Sequence, residues 1–293
     1  MRYIAETDLI LNQDGSAYHI RLLPEDVADT VITVGDADRV PQISKYFDHI
    51  ECKKGKREFI THTGTVGGKR ITVISTGIGT GNVDIVLNEL DALINIDLKT
   101  RTAHTDSRSL NFIRIGTSGS IQEDVPVDGL LVSEAAFGLE PIMHFYMQSA
   151  NPDDEELLAA LASALPQGLK CDAYLATASA TLLAALGNDV RHGITMTAPG
   201  FYAPQGRMLR GRLPFPGLLD NFRDFEYKGK KITNLEMETA GIYGLADTLG
   251  HRPLSFNIIL ANRVTHEFSK NPGKTVDGYI QQVLERIISS QLP

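Results

Sequence analysis

The amino-acid sequence predicts an α/β fold, a mixed sheet flanked by helices in one domain spanning residues 1–293, and three observations carry that prediction. Short β-branched runs end at glycines in three places: 31–34 before Gly35, 71–74 before Gly77 and 112–115 before Gly116. This is the pattern of buried parallel strands with glycine loops at their carboxyl ends. Behind the second loop, Val83, Val86, Leu87, Leu90, Leu93 and Ile94 recur at three- and four-residue spacing, giving a helix one apolar stripe to lay on the sheet. No fixed-period repeat, low-complexity tract or Pro/Ser-rich linker splits the chain.

In chain order, the strand at 31–34 is followed by the strand at 71–74 and its helix, a β-loop-α unit. A polar excursion at 98–109 reads as a surface insertion ahead of the third strand, 112–115, and a further strand follows at 130–132. The helix at 153–165 opens on Pro152 and four acids, which suit the positive end of a helix, and continues as Leu157, Leu158, Leu161 and Leu165. After a strand at 173–176, the Pro/Gly/Arg-rich stretch 207–217 reads as a lid. Helices at 237–249 and 276–288 then bracket a strand at 254–261.

Hydrophobic residues at 42% and charged residues at 22% exclude global disorder. A formal net charge of -8 and an isoelectric point near 5.5 argue against a broad basic face, so neither nucleic acid nor an acidic membrane surface is expected as a partner. Cys52 and Cys171 stand far apart without metal-site spacing, which fits a reducing cytosol. No run approaches the roughly 20 apolar residues of a membrane span and the opening residues lack a signal-peptide pattern, so a soluble, cytoplasmic protein is expected.

Several familiar motifs fail on inspection. Gly77, Gly79 and Gly81 lack the final glycine of a dinucleotide loop, because Asn82 stands there. Gly273-Lys274-Thr275 lacks the leading glycine of a phosphate loop, where Phe268 stands. His266-Glu267 has no second histidine, and Ser118 is not in a hydrolase elbow. What remains is a set of arginines beside glycines at strand ends: Gly35-Asp36-Ala37-Asp38-Arg39, and Arg114 before Gly116-Thr117-Ser118-Gly119. Glycine turns there expose backbone N–H groups to an anion, and arginine adds bidentate oxygen recognition. Arg114 sits inside the apolar run FIRIG, where an unpaired guanidinium is costly to bury, so it demands an anionic partner.

The blocks GDADRV, STGIGTGN, FIRIGTSGSI, GFYAPQGR, NLEMETAGIYGLA and ILANRVTHE, in that order, resemble the purine and uridine nucleoside phosphorylase superfamily, and within it the uridine-type enzymes. The likeness runs from about Tyr18 to the last helix. It implies a single-domain phosphorylase fold with a distorted mixed β-sheet flanked by helices, and reversible cleavage of uridine by phosphate to uracil and ribose 1-phosphate. Phosphate would be a co-substrate, no cofactor is implied, and the nucleophile would be phosphate itself, so the protein's work would be positioning and charge stabilisation.

Carried over by that resemblance, Gly35, Arg39, Arg114 and Thr117 match the phosphate site, and Arg57 in KREF matches an arginine donated by a neighbouring subunit. Phe201 would lie against the base, with Gln205 and Arg207 at its polar edge, where arginine donates to a carbonyl oxygen that gains charge as the glycosidic bond breaks. Arg39, Arg114 and Arg207 are the expected catalytic set. Glu236, Met237 and Glu238 match the ribose site; residues two apart do not share a helix face, so at most one glutamate is expected to point at a given ligand. His19 matches a histidine reaching the ribose 5′-hydroxyl of the adjacent subunit, which implies a homo-oligomer with shared sites, dimer or hexamer. Arg263 matches the pyrimidine-type enzymes where microbial purine enzymes carry an aspartate. Two departures stand out: Ala203-Pro204 replaces a common Pro-Gly, and Asn82 replaces a serine seen near a monovalent-cation site around the position of Glu58. A purine phosphorylase, a hydrolytic nucleosidase of the same fold and a non-catalytic nucleoside sensor are the competing readings, separated by which base is released and whether phosphate is needed.

Overall fold

In the computed structural model, which describes residues 3–148 and 152–293, the apolar runs pair into one twelve-stranded mixed sheet. The elements are β1 (Thr30–Val34), α1 (Arg39–Ser44), β2 (His49–Lys56), β3 (Phe59–Val66), β4 (Lys69–Ser75), α2 (Thr80–Asn95), β5 (Ile96–Asp97), β6 (Thr102–Ala103), β7 (Asn111–Ser120), β8 (Leu130–Gly138) and α3 (Pro152–Ala164), then β9 (Tyr174–Thr177), α4 (Ala180–Leu186), β10 (Arg191–Thr197), α5 (Leu218–Asp224), β11 (Glu226–Tyr227), β12 (Lys230–Glu236), α6 (Thr239–Thr248), β13 (Arg252–Asn262), β14 (Glu267–Phe268) and α7 (Pro272–Ser289).

The three β-branched runs do lie side by side: β1 sits between β4 and β7 and is parallel to both. From β7 the sheet continues through β13, β8 and β10 to β12. There it curls back on itself, because Asn234 and Leu235 of β12 pair antiparallel with Ser120 and Gly119 of β7. Five strands therefore close into a ring, while β2, β3, β4 and β1 form an open extension from its β7 wall. Register shifts in β10 and β13 add the local bend that closure needs. Each ring strand sends a polar side chain into one hydrogen-bonded circuit: Asn257 to Ser133 at 2.8 Å, Ser133 with Thr195 at 2.6 Å, Thr195 to Asn234 at 3.0 Å and Asn234 to Ser118 at 3.0 Å.

Helices cover the sheet as their stripes require. Val83, Val86 and Leu90 of α2 pack with Tyr243 of α6 against Phe112, while Ile43 of α1, Leu182 of α4 and Val283 of α7 pack against Ile32, Ile113 and Phe256. Leu157 and Leu161 of α3 join Phe222 of α5 over Phe137, Met196 and Ile232. No helix among the described residues is long and apolar enough to cross a membrane.

The structure corrects two local expectations. Gly116 is no loop: β7 runs straight through Gly116 and Gly119 to Ser120. The glycine is there because the Arg114 side chain folds across it, so that a Cβ at Gly116 would lie 1.8 Å from the Arg114 guanidinium. The helix expected from 237 starts at Thr239, because Glu238 caps it in a non-helical conformation. The 98–109 insertion is at the surface but anchored: its β5–β6 hairpin bridges to Tyr3, and Arg101 donates to the Ile4 and Ala5 carbonyls at 2.8 and 3.0 Å.

Candidate active site

A cleft of about 760 Å³ opens where the strands end. Gly35 follows β1, Gly77 and Ile78 follow β4, Thr117 to Gly119 form the far half of β7, Glu236 ends β12, and Leu260 and Ala261 lie near the end of β13. Open α/β sheets bind ligands in such carboxyl-end crevices. Of the residues singled out in the sequence, Gly35, Arg39, Glu58, Arg114, Thr117, Phe201, Gln205, Arg207, Glu236, Met237 and Glu238 border this one cleft. Arg263 stands behind it, its Nη1 donating to the Gln205 carbonyl at 2.9 Å. His19 and Arg57 do not border it; Arg57 is exposed at the tip of the β2–β3 hairpin.

Arg114 finds its anionic partner within the protein. Its Nη2 donates to Glu238 at 2.7 Å and lies 3.0 Å from Glu236, and its Nη1 donates to Asn257 at 3.2 Å, all of them buried. Both glutamates therefore converge on one guanidinium, Glu236 from the end of a strand and Glu238 from the cap of the next helix. Burial alone would lower the Arg114 pKa, but the two carboxylates outweigh it and hold the group above its ordinary value. Glu236 is fully engaged, accepting also from Thr197 Oγ1 at 2.5 Å and from the N–H groups of Glu238 and Thr239. Glu238 accepts one further N–H, that of Gly79 at 2.7 Å, offered by a backbone with φ of 90° that favours glycine. Burial pushes the Glu238 pKa above the usual carboxylate range, opposed by Arg114 and reinforced by Glu236.

Arg39 is in a different state. No carboxylate lies within salt-bridge reach of it among the described residues, its buried Nε has no partner, and its Nη1 touches only the Ile115 carbonyl, at 3.4 Å. Burial, opposed by Asp36 and reinforced by Arg114, pulls its pKa below the ordinary value. A half-buried guanidinium with unused donors, beside the Gly35 turn, is a receptor for an anion. At the other end, Arg207 lies 3.9 Å over the Phe201 ring and donates to the Phe201 carbonyl at 2.7 Å and to Gln205 Oε1 at 2.5 Å. Partial burial and the nearby Arg263 pull the Arg207 pKa down to about 10, which leaves it charged at neutral pH.

A family model described as the phosphorylase superfamily matches residues 29–289. The chain belongs to the phosphorylase superfamily. The resemblance carried by the six sequence blocks is thus borne out at the level of the family. A uridine phosphorylase of Thermococcus kodakarensis is 35% identical over 259 residues, covering 88% of this chain and 82% of its own. A DeoD-type purine nucleoside phosphorylase of Shewanella frigidimarina is 29% identical over 237 residues, 80% of this chain and 82% of its own. Among solved structures, a Trypanosoma brucei nucleoside phosphorylase described as showing uridine phosphorylase activity superposes with a TM-score of 0.84 at 28% identity, covering 96% of this chain and 98% of its own.

Three large apolar residues of the cleft escaped the sequence reading: Ile78, Leu260 and Phe268. Ile78 and Phe268 are 69% and 64% exposed, and the available signal was local: a bulky side chain between two glycines, and a phenylalanine just past the ILANRV block. The 207–217 stretch enters the cleft only through its first residue, Arg207, with Met208 and Leu209 exposed beyond it. Glu58 and Asn82 both stand against Gly77, so the departure from serine at Asn82 falls in the neighbourhood of Glu58. No group of three or more His, Cys, Asp or Glu residues able to hold a metal ion occurs among the described residues.

Proposed function

We propose that this phosphorylase is a pentosyltransferase that cleaves uridine with phosphate. An oxygen of phosphate attacks C1′ of the ribose, the bond from C1′ to the base nitrogen breaks, and its electron pair leaves on uracil, which takes up a proton; the other product is ribose 1-phosphate. Arg39, Gly35 and Thr117 hold the phosphate, with Arg114 contributing charge behind them. Glu238 accepts from the ribose hydroxyls and Met237 packs on the sugar. Phe201, Gln205 and Arg207 receive the base, and Arg263 fixes their loop and assists the leaving group. Because charge grows on the base oxygens only as the bond breaks, Arg207 favours the transition state over the substrate.

The observation that carries this reading is the meeting of three groups in one cleft: an arginine without a carboxylate partner beside a glycine turn, a buried glutamate on a second arginine, and an aromatic, amide and guanidinium cluster. The uridine-type relatives support it further. Sites are shared between copies of the chain, with Arg57 and His19 supplied from a neighbour, so the active form is a homo-oligomer. The deciding experiment supplies uridine, inosine and cytidine one at a time, with and without phosphate, and measures free base. Phosphate-dependent uracil release in excess of hypoxanthine release is expected. Faster release from inosine, release by water alone, or binding without turnover would each overturn it.

A further inference from the structure

Away from the cleft, Glu89 of α2 holds His19. Its carboxylate is nearly buried and accepts the backbone N–H groups of His19, at 3.1 and 3.0 Å, and of Ile20, at 2.9 Å. The His19 ring meets the same carboxylate through Nδ1, at 2.5 Å. Since the carboxylate accepts at every other contact, the imidazole presents Nδ1–H to it, and in the neutral ring Nε2 is then the nitrogen that can accept. Nε2 has no partner among the described residues, and the side chain is 27% exposed. The surrounding segment is braced as well. Lys56 lies 3.7 Å from the Tyr18 ring centroid and donates to the Tyr18 carbonyl, and Lys56 directly precedes Arg57. The residues expected to serve a neighbouring copy thus sit on one braced segment pair that does not line their own chain's cleft.

We propose that Glu89 is a positioning residue: it fixes the His19 ring in the Nδ1–H tautomer, so that Nε2 accepts the O–H of the ribose 5′-hydroxyl of a nucleoside bound to a neighbouring copy. The inference rests on the phosphorolysis reading and on shared sites. The test compares kcat/KM for uridine and 5′-deoxyuridine. Wild-type protein should prefer uridine by about fivefold to tenfold, the worth of one hydrogen bond. Glu89→Ala should abolish the preference by slowing uridine alone, as should His19→Ala, and Glu89→Gln, whose amide oxygen can accept Nδ1–H, should restore part of it. Nitrogen-15 spectra of histidine in the wild-type oligomer should place the His19 proton on Nδ1, a measurement that stands even if Glu89→Ala does not fold. Equal slowing of both nucleosides by Glu89→Ala, or a His19 proton found on Nε2, would overturn the proposal. So would a wild type indifferent to the 5′-hydroxyl, with phosphorolysis itself left standing. Absence of any phosphate-dependent uracil release would instead sink the parent reading, and this proposal with it.

Discussion

Arg39 and Arg114 share the cleft but carry different loads, because Arg114 is already neutralised by Glu236 and Glu238 while Arg39 keeps its donors free. Arg39→Ala should therefore raise the phosphate KM at least tenfold, the loss of a charge-assisted contact of about 1.5–3 kcal/mol, with the uridine KM little changed. Arg114→Ala should damage both KM values, since Glu238 loses its anchor along with the phosphate's second cation; steady-state kinetics with each substrate varied in turn separate the two. Removing Arg207, the proposed donor to a developing oxyanion, should cost about 2.7–4 kcal/mol, or 10²–10³ in kcat for uridine, and less for a nucleoside whose base leaves easily. Glu238 invites a stability test. Its folded-state pKa is raised, so its favourable contribution is present below the ordinary carboxylate range and is lost as pH rises through the raised value. Glu238→Gln should thus melt no lower than wild type at pH 7, with any advantage disappearing in acid, while turnover falls. Melting curves at pH 7 and in acid check this. At this scale the sequence was informative about need and silent about supply. FIRIG announced a guanidinium that must be paired, but its carboxylates arrive from residues 236 and 238, whose approach only the folded chain reveals.

Among the elements, β7 has most to lose from small changes. Its Gly116 has ordinary backbone angles, so alanine there strains nothing locally, yet the added methyl would occupy the space of the Arg114 guanidinium. Gly116→Ala should cut activity nearly as far as Arg114→Ala and should lower the melting temperature as well, because the guanidinium it displaces is buried on Glu236 and Glu238. A large loss of stability with normal turnover would contradict that account. The strands legible from sequence were those buried on both faces, where β-branched runs are unbroken, as in β1 and β4. The β2–β3 hairpin was not legible: β2 reads HIECKKGK, alternates exposed and half-buried positions at the edge of the sheet, and carries too little apolar signal to stand out from a loop. Gly116 misled for the opposite reason. Its neighbours spell a strand end, and the use of a glycine to make room for a side chain two residues away leaves no mark in local composition.

For the whole molecule, sharing of sites has a direct genetic signature. Arg57→Ala and Arg114→Ala proteins, each impaired alone, should regain activity when subunits are exchanged, because each mixed pair contains one site with both arginines; demonstrated mixed oligomers without recovery would refute the sharing. Alternation of strands and helices made the α/β class legible, but nothing in the spacing foretold ring closure, which depends on β12 meeting the end of β7 across more than a hundred intervening residues. That closure governs how the chain is made. When β7 leaves the ribosome it finds β1 and β4 waiting on one side, but its ring partners β13 and β12 are not yet synthesised, so its opposite edge stays open through most of the translation that remains. An open strand edge is a template for pairing with other chains. Newborn chains are therefore most vulnerable to aggregation in the interval between β7 and β13. A premature stop before residue 252 should leave an insoluble fragment and not a weakened enzyme, because it removes the strand on which both halves of the sheet depend.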